Sequence, residues 1–298
     1  MLHYMCIDIG GTAIKYCLAS KEGKLSEVRQ LKTPKTMEEF LETLSLMVEE
    51  YDEEIEGIAI SMPGLINSKT GYAVHGGSLL FIKDINIRDT IGACFPDIPV
   101  EIENDGKCAA LGEKYFGELH SVENGIAIVL GTGIGGGIII NGQLMRGTNL
   151  SAGEFSFIRN SPVTERPENF LGLQLSVPLM IREYTEKSTD SSEILTGEQL
   201  FQKINEEDDL AIAVLRKYSK RLTQQLFNLQ TIIDPEVITI GGGISAQSKL
   251  IDFINEDIEE EMNRFPIPLI KPAIKQSKLG NKANLLGALA HYVEHKAN

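Results

Sequence analysis

Residues 4–15 read YMCIDIGGTAIK, an apolar run that ends on a carboxylate, two glycines and a threonine: Asp8, Gly10, Gly11 and Thr12. The run before Asp8 predicts a buried strand. Glycine lets backbone N–H groups approach anionic oxygens closely, and a nearby carboxylate can hold a hydrated cation. The stretch therefore predicts a site for a metal-bound phosphate, with an ordinary tight turn as the alternative.

The charge of the chain limits its partners. Its 298 residues include 42 acidic and 28 basic side chains, which gives a net charge of −14. Such a chain repels a phosphate backbone, so we expect no nucleic acid as a main partner. A site for a phosphorylated ligand must then depend on glycine amides, helix N-termini and a divalent cation.

We also expect a cytoplasmic protein without membrane contact. No apolar stretch approaches the roughly 18 residues that span a bilayer, and no basic segment followed by an apolar one opens the chain. The four cysteines, Cys6, Cys17, Cys94 and Cys108, form no C-x-x-C pair. They are expected to be buried free thiols, and their spacing gives no zinc site.

Hydrophobic periodicity predicts a sheet with helices packed on it in the first part of the chain. The predicted strands cover residues 3–9, 13–19, 25–32, 55–62 and 99–103, and the predicted helices cover 37–51 and 106–116. After the hairpin group of the first three strands, helices and strands are expected to alternate.

The second part of the chain repeats this order. Its predicted strands cover 126–130, 135–140, 143–145 and 237–240, and its predicted helices cover 208–233 and 248–263. Both parts open with a β-hairpin around a glycine loop and continue into helices, which indicates a duplication of pattern. Residues 160–200 show no clear period, and the boundary between the parts is expected near 117–123.

The second glycine loop, LGTGIGGG at 130–137, contains the string G-x-G-x-x-G. The dinucleotide fingerprint requires this string to open a helix. Here it runs into Ile138–Ile140 and the hairpin dipeptide Asn141-Gly142, which predict a strand. This argues against a nicotinamide site, and the sequence contains no P-loop string.

A third glycine loop, Gly241-Gly242-Gly243, follows the predicted strand 237–240. A triple glycine between a strand and a helix lets a flat or anionic group approach the backbone. Each loop alone is compatible with an ordinary turn. Three such loops at strand ends fit one nucleotide held between the two halves of a sheet protein.

Two further motifs place carboxylates in positions that suit chemistry. Asn104 and Asp105 lie where a strand meets a helix, and they are either helix N-caps or a general base beside an amide that fixes a hydroxyl. In RGTNLSAGEF at 146–155, Glu154 follows Ala-Gly in a polar loop. It could accept hydrogen bonds from two vicinal hydroxyls, or it could be a solvated loop residue.

In order along the chain, five strings resemble the ROK family of sugar kinases and repressors, within the actin-like ATPase superfamily. They are DIGGTAIK at 8–15, ENDGKCAALGE at 103–113, VLGTGIGGGI at 129–138, RGTNLSAGE at 146–154 and VITIGGGIS at 237–245. NLLGAL at 284–289 is a weaker match. The resemblance spans nearly the whole chain.

The resemblance implies an α/β, two-lobed actin-like (ribonuclease H-like) ATPase fold with a central cleft that binds ATP and a sugar. The N-terminal lobe would cover residues 1–117, with a C-terminal helix at about 284–298 packing back on it. The C-terminal lobe would cover residues 118–283. A homodimer is expected on the resemblance alone.

The resemblance also implies roles for individual residues. Asp8 would hold Mg²⁺ through water, and Asp105 would take the proton from the sugar 6-hydroxyl. Glycine loops would contact the phosphates and adenosine of ATP, through Gly10, Gly11, Thr12, Gly131, Thr132, Gly133, Gly135, Gly241, Gly242 and Gly243. The sugar would contact Gly64, Asn104, Asp105 and Glu154.

The chain departs from the family pattern after Glu154. A histidine usually stands three residues later, where this chain has Phe157, and many members then carry a cysteine-rich zinc motif. Residues 158–180 contain no cysteine, so we predict no zinc site. The glutamate that ends that motif is not identifiable, although Glu165 and Glu168 lie nearby.

These departures bear on the sugar. By analogy, the missing histidine and glutamate contact the sugar around C1 and C2. A site without those polar partners no longer selects for a free anomeric hydroxyl. Phe157 could instead offer an apolar face to a second sugar ring.

The expected function is therefore ATP-dependent phosphorylation of a sugar 6-hydroxyl, on a β-glucoside such as cellobiose. A glucokinase or an N-acetylmannosamine kinase is the alternative within the kinase class. A repressor of the same family is the alternative from another class. The early position of Asp8, which leaves no room for a preceding DNA-binding module, and the net charge of −14 argue against a repressor.

Overall fold

The computed structural model describes residues 3–51, 55–159, 169–188 and 195–297. The first part of the chain forms β1 (Tyr4–Ile9), β2 (Ala13–Ala19), β3 (Arg29–Lys32), α1 (Met37–Glu49), β4 (Gly57–Met62), β5 (Leu65–Asn67), β6 (Tyr72–Gly76), β7 (Leu79–Asn86), α2 (Ile87–Gly92), β8 (Val100–Asn104) and α3 (Asp105–Phe116).

The second part forms β9 (Gly125–Leu130), β10 (Ile134–Ile140), β11 (Gln143–Met145), α4 (Leu171–Gln174), α5 (Val177–Thr185), α6 (Gly197–Asn205), α7 (Asp209–Ile233), β12 (Val237–Gly241), α8 (Ser248–Arg264), β13 (Ile274–Gln276) and α9 (Ala283–Ala297). Short 3₁₀ turns lie at Phe155–Phe157, Gly243–Ala246 and Gly280–Lys282.

The two parts build sheets of the same design. The first has the strand order β3-β2-β1-β4-β8, and the second has the order β11-β10-β9-β12-β13. In each, three antiparallel strands form a meander, and two further strands add in parallel. The duplication predicted from the hairpins and glycine loops is therefore confirmed, as is the α/β fold class.

Each sheet has its own apolar core. In α1, Phe40, Leu44 and Met47 recur at helical spacing, and all three are buried against the first sheet. The second sheet packs against the long helix α7, from which Leu215, Leu222 and Leu226 are fully buried. These cores fix the strand ends at which the glycine loops lie.

The helices α3 and α9 pack against each other more closely than ordinary side chains permit. A Cβ atom on Gly287 would lie 1.7 Å from the Cys108 carbonyl oxygen, and one on Gly112 would lie 2.3 Å from the Ala283 carbonyl oxygen. Helix α9 also buries Leu289 and Tyr292 in one cluster with residues of the first sheet. Helix α9 thus packs against the first part of the chain, where the resemblance places the C-terminal helix. The lobe boundaries stay a prediction.

Two parts of the secondary structure differ from the sequence-based expectation. Between β4 and β8 the chain forms the three-stranded antiparallel sheet β5-β6-β7 and a single short helix, rather than a simple alternation. In the predicted strand 25–32, only Arg29–Lys32 is a strand, because the Ser26 hydroxyl accepts the Leu18 N–H at 3.0 Å. The stretch 160–200, for which no clear hydrophobic period was found, contains α4, α5 and the start of α6.

Of the four cysteines, Cys6, Cys17 and Cys108 are buried free thiols, as predicted, but Cys94 is exposed. Within the described ranges, no helix combines the length and the apolar character that crossing a bilayer demands.

Candidate active site

The junction of β8 and α3 fixes the Asp105 carboxylate. The Asn104 side chain caps the helix by accepting the Lys107 N–H at 3.1 Å, and its Nδ2 donates to the Gly64 carbonyl at 3.0 Å and to Asp105 Oδ1 at 3.1 Å. The Gly106 N–H donates to the same Oδ1 at 2.8 Å. The N-cap predicted as one alternative is therefore confirmed, and the same side chain also fixes the Asp105 carboxylate.

The surroundings of Asp105 make it a stronger base than an ordinary aspartate. Burial raises the pKa of Asp105 to about 6, and the negative charges of Asp8 and Glu154 add to the rise. The Gly106 N–H and the Lys107 ammonium oppose it. A carboxylate with a pKa near neutrality suits a general base that must accept a proton at physiological pH.

Asp8 is held at the end of β1 by residues from two other elements. Ser61 Oγ donates to Asp8 Oδ1 at 2.9 Å, and Asn284 Nδ2 donates to the same oxygen at 3.0 Å. Burial raises the pKa of Asp8, while these two hydrogen bonds and the Lys15 charge oppose the rise. Since both bonds end on Oδ1, the described contacts leave the acceptor capacity of Oδ2 for a further partner.

The first glycine loop is a tight turn between β1 and β2. The Gly10 N–H donates to the Ala13 carbonyl at 2.9 Å, and Thr33 Oγ1 donates to the Gly10 carbonyl at 2.7 Å. A Cβ atom on Gly11 would lie 2.8 Å from Ser78 Oγ, which comes from the turn between β6 and β7. Gly11 and Thr12 are exposed, so their backbone is accessible at the end of the strand.

The second glycine loop turns β9 back into β10, as predicted, and begins no helix. Protein packing explains Gly136, where a Cβ atom would lie 2.2 Å from the Ala127 carbonyl oxygen. It does not explain Gly131 and Gly135, where an added Cβ would meet no heavy atom within 4 Å. These two positions leave room for a ligand beside the backbone.

The third glycine loop shows the same contrast. Gly242 has φ +88°, and a Cβ atom there would lie 2.2 Å from the Leu130 carbonyl oxygen, so the fold itself requires glycine. An added Cβ on the neighbouring Gly243 would meet nothing within 4 Å. The loop therefore combines a structural glycine with an open one.

The second and third loops line one cavity together with Asp8 and Lys15, the residues that flank the first loop. A space of ≈ 190 Å³ is lined by residues of both parts, including Asp8, Lys15, Gly131, Gly241 and Asn284. Gly243 lines this cavity and also a more open one of ≈ 510 Å³, which extends to Phe201 and Gln202 on α6. The second and third loops and the strands that flank the first are thus brought together although they lie far apart in the chain.

The residues around this cavity fit a cation-bound triphosphate. The open glycines at 131 and 243 form a cradle that a Cβ would narrow. Two carboxylates line the cavity, but both oxygens of Glu113 accept hydrogen bonds from the protein, which leaves Asp8 as the single carboxylate with an oxygen that accepts none in the described contacts. Within the described ranges, no three His, Cys, Asp or Glu side chains group as a metal site. A single carboxylate agrees with Mg²⁺, which usually keeps several waters and takes its other ligands from substrate phosphates.

Glu154 lies close enough to Asp105 for its charge to act on that carboxylate. Gly153 before it has φ +82°, and a Cβ there would lie 3.1 Å from the Gly136 carbonyl oxygen, so the loop packs on β10. Glu154 Oε1 lies 3.1 Å from the Nζ of Lys107, a nearly fully buried residue. The polar loop is thereby tied to the first turn of α3, next to Asp105.

A second ion pair ties the start of the same loop to β8. The Glu103 carboxylate is fully buried and accepts the Arg146 Nε–H at 2.8 Å and the Asn104 N–H at 2.8 Å. Arg146 Nη2 lies 3.4 Å from His291 Nδ1 on α9. Glu103 and Arg146 therefore connect the loop 146–154, the strand that ends at Asn104, and the C-terminal helix.

Phe157 follows Glu154 in a 3₁₀ turn and is 63% exposed. Its ring meets the Phe170 ring edge-to-face with centroids 6.4 Å apart, and the Arg159 guanidinium lies 4.6 Å from the centroid of Phe170. The two rings form an apolar surface close to the polar loop. Glu165 and Glu168 lie outside the described residues.

The sequence predicts roles for Asp8, Asn104, Asp105 and Glu154 but none for Lys107, Glu103 or Arg146, which form ion pairs around them. The Lys107 and Glu103 side chains lie inside the quoted ENDGKC string, and Arg146 opens the RGTNLSAGE string. The only sequence signal for these residues is a charged side chain inside a motif that also carries a predicted site residue. Their partners lie 47 and 43 residues away, so the pairing could not be deduced from local spacing.

Comparisons with known proteins agree with this geometry. A family model described as the ROK family matches residues 4–294. A beta-glucoside kinase of Listeria monocytogenes serovar 1/2a (strain ATCC BAA-679 / EGD-e) is 30% identical over 292 residues, which are 97% of each chain.

Two solved structures share the fold over almost their full lengths. A ROK family protein from Streptococcus pneumoniae TIGR4, in complex with sucrose, is 29% identical with a TM-score of 0.86, over 100% of this chain and 99% of that one. A ROK family glucokinase from Streptomyces griseus, in complex with glucose and AMPPNP, is 25% identical with a TM-score of 0.84, over 97% and 98%.

Proposed function

The chain belongs to the ROK family, and we propose that it is an ATP-dependent carbohydrate kinase that phosphorylates the 6-hydroxyl of a β-glucoside such as cellobiose. The observation that carries the proposal is the Asp105 carboxylate. It is fixed by Asn104 and Gly106, has a pKa raised to about 6, and is close enough to Asp8 and Glu154 for their charges to act on it.

Asp105 would act as the general base. Its Oδ1 is held by two donors, and the ionised carboxylate accepts the proton of the sugar hydroxyl as the oxygen attacks the phosphate. Phosphoryl transfer needs mainly alignment and charge neutralisation, so one well-placed base is sufficient. Asn104 and Glu154 would hold ring hydroxyls, and the Gly64 carbonyl keeps the Asn104 amide in place.

The phosphates of ATP would be bound by backbone N–H groups of the turns at 10–12 and 131–135. This assignment is supported by the open positions Gly131 and Gly135 and by the exposed Gly11 and Thr12. Mg²⁺ would supply charge neutralisation at the phosphates, and Asp8 would hold it through water. The loop 241–243 and the cavity toward α6 would take the adenosine.

The β-glucoside specificity is supported by Phe157. Its exposed ring lies three residues after Glu154 and is braced by Phe170. An aromatic face is a natural platform for the apolar face of a second sugar ring. The Listeria relative is a beta-glucoside kinase, and the Streptococcus structure holds the disaccharide sucrose. Both findings agree with a sugar site that leaves space for a second group at the anomeric carbon.

A substrate panel tests the proposal. An ADP-coupled assay on cellobiose, glucose and N-acetylmannosamine should give a kcat/KM for cellobiose at least about tenfold above that for glucose, which corresponds to about 1.4 kcal/mol of transition-state binding. Phe157→Ala should remove most of this preference. Phe265→Ala provides the matched control, because Phe265 is also half-exposed but lies on a different surface, beside α7 and α8.

Phosphorylation of the free monosaccharides alone would replace the β-glucoside assignment by a glucokinase or an N-acetylmannosamine kinase. The Streptomyces glucokinase gives that alternative its support. Absence of ADP formation with every sugar, together with tight binding to DNA, would favour a repressor. The net charge of −14 supports the kinase over that outcome.

We further propose a cytoplasmic homodimer that requires Mg²⁺ and binds neither nucleic acid nor membranes. The family resemblance supports the dimer, and the acidic composition supports the absence of nucleic acid. Size-exclusion chromatography with light scattering should give twice the chain mass of 32.8 kDa. A mass of one chain at micromolar concentration would contradict the dimer.

A further inference from the structure

Lys107 stands in an unusual environment for a lysine. It belongs to the first turn of α3, only 1% of its surface is exposed, and its Nζ lies 3.1 Å from Glu154 Oε1. Within the described ranges, Glu154 is its only ion-pair partner. The pair joins the helix that carries Asp105 to the loop that carries Glu154.

Stability does not account for this lysine. A cation in the first turn of a helix is opposed by the helix dipole, whose N-terminal end is positive. Taking an ammonium group and a carboxylate out of water costs more free energy than their attraction usually returns. An apolar side chain of similar length would fill the same space at lower cost, so the charge points to a function at the site.

The geometry shows what the charge does. Glu154 Oε1 is engaged by Lys107, so Oε2 and one remaining lone pair of Oε1 are left to accept sugar hydroxyls. The backbone around Glu154 is fixed independently, since its N–H donates to Ser151 at 3.2 Å and Gly153 packs on β10. The loop contacts hold the Glu154 backbone but not its side chain. The contact with Lys107 holds the side chain.

We propose that Lys107 is a positioning residue for sugar recognition: it holds the Glu154 carboxylate in one orientation and keeps its charge balanced beside Asp105. The inference rests on the proposed kinase function and deepens it. The charged groups that act on Asp105 are Asp8 from β1, Glu154 from the loop and Lys107 from its own helix. Without Lys107, the two remaining neighbours are both negative.

A double-mutant cycle tests this proposal. Lys107→Met should raise the KM for the sugar at least about tenfold with a smaller effect on kcat, because an unrestrained Glu154 must be ordered on binding. In a Glu154→Gln background, the same substitution should change kcat/KM by less than about twofold, because its target is already neutral. The acid limb of the pH profile should move to higher pH in Lys107→Met, since Lys107 lowers the pKa of Asp105.

Three comparisons separate this role from a structural one. The dissociation constant of AMPPNP should stay within about twofold of the wild-type value in Lys107→Met, because the nucleotide cavity is not lined by Lys107. Lys217→Met removes a partner of Glu183, an ion pair between α5 and α7, and should leave the sugar KM unchanged. Lys107→Arg keeps the charge and should recover part of the sugar affinity.

An unchanged sugar KM in Lys107→Met would overturn the proposal. So would an effect of Lys107→Met that is equally large with and without Glu154→Gln, because Lys107 would then act independently of Glu154. If Lys107→Met does not fold, Lys107→Met/Glu154→Gln, which buries no unpaired charge, is compared with Glu154→Gln. Wild-type protein that phosphorylates no sugar would instead contradict the proposed function itself.

Discussion

At the scale of single residues, the site depends on one carboxylate that is kept partly out of water. Burial contributes most to the raised pKa of Asp105, and the hydrogen bond from Gly106 limits the rise. A fully solvated aspartate would be too weak a base, and a fully desolvated one would stay protonated. The Asn104 cap places the carboxylate at this intermediate depth.

Replacing Asp105 by Asn should lower kcat by about 10²- to 10⁴-fold, the usual contribution of a general base. The amide can still accept from the Gly106 N–H, and it removes a charge that burial disfavours. The melting temperature at pH 8 should therefore be equal to or above that of the wild type. If Asp105→Asn keeps a kcat within tenfold of the wild-type value, another residue must be the base. If the variant is unfolded, its kcat does not report on the role of Asp105.

The pH dependence has a defined sign. Because the pKa of folded Asp105 is about 6 rather than 3.8, its neutral form is favoured by folding. This contribution to stability is complete below about pH 3.8 and is lost as pH rises through about 6. In the opposite direction, kcat/KM should rise about tenfold per pH unit below 6 and level off above it. A profile that is flat from pH 5 to 8 would contradict the assignment.

Asp8 should make activity depend on Mg²⁺. Chelation with EDTA should abolish turnover, and added MgCl₂ should restore it. Asp8→Asn keeps the acceptor for Ser61 and Asn284 but loses the charge, so the Mg²⁺ concentration for half-maximal rate should rise about 10- to 100-fold. Asp84→Asn, at an exposed position on β7, is the control. An identical Mg²⁺ requirement in both variants would remove Asp8 from the metal site.

Much of the candidate site can be predicted at this scale, because Asp8 and Asp105 lie at strand ends beside glycines and Glu154 follows a glycine in a polar loop. The partners that orient them cannot. Lys107 reaches Glu154 across 47 residues, and Asn284 reaches Asp8 across 276. Side-chain contacts of that range follow from tertiary packing, which no short motif encodes.

At the scale of elements, neighbouring glycines in one loop have different reasons to be glycine. Gly242 is required by its positive φ and by the Leu130 carbonyl, whereas Gly243 faces open space beside the cavity. The same contrast separates Gly136 from Gly135 on β10. A glycine motif in a sequence therefore mixes positions that build the turn with positions that admit a ligand.

Alanine substitutions at Gly242 and Gly243 test this difference between a structural glycine and an open one. Gly242→Ala should lower the free energy of unfolding by about 1–3 kcal/mol, through a strained backbone and a backbone clash. Gly243→Ala should leave the melting temperature unchanged but raise the KM for ATP about tenfold, equivalent to about 1.4 kcal/mol of lost binding. Denaturant titration and ATP kinetics on both variants check this. Equal stability losses would contradict the distinction, and so would an unchanged KM for ATP in Gly243→Ala.

Elements with a strong period were predicted well, and those with mixed exposure were not. The meanders around the glycine loops and the helices α1, α7 and α8 follow from apolar spacing. Strand β6 escaped prediction because most of its residues are exposed, so its pattern lacks a continuous apolar face. Helix α6 begins with a capping box of Thr196 and Gln199. This start signal was overlooked because residues 160–200 show no clear hydrophobic period.

At the scale of the whole molecule, duplication explains why distant loops meet. The hairpin turns at 10–12 and 131–133 occupy equivalent places in two sheets of the same strand order. The cavity is lined by Asp8 and Lys15 beside the first turn and by Gly131 of the second, so both sheets contribute equivalent strand ends to it. Helices α3 and α9 pack together through Gly112 and Gly287, where α3 contacts both sheets and α9 contacts the first. Helix α9 brings Asn284 to the cavity, and α3 begins at Asp105.

The most direct test of this account is the fate of the γ-phosphate of ATP in the presence of cellobiose. Phosphorus NMR of the reaction with wild-type protein and MgCl₂ should show one phosphomonoester, on a 6-hydroxyl of the disaccharide, formed in step with ADP. Asp105→Asn should form almost none of it under the same conditions. ADP accompanied only by inorganic phosphate, or transfer by Asp105→Asn at the wild-type rate, would contradict the account.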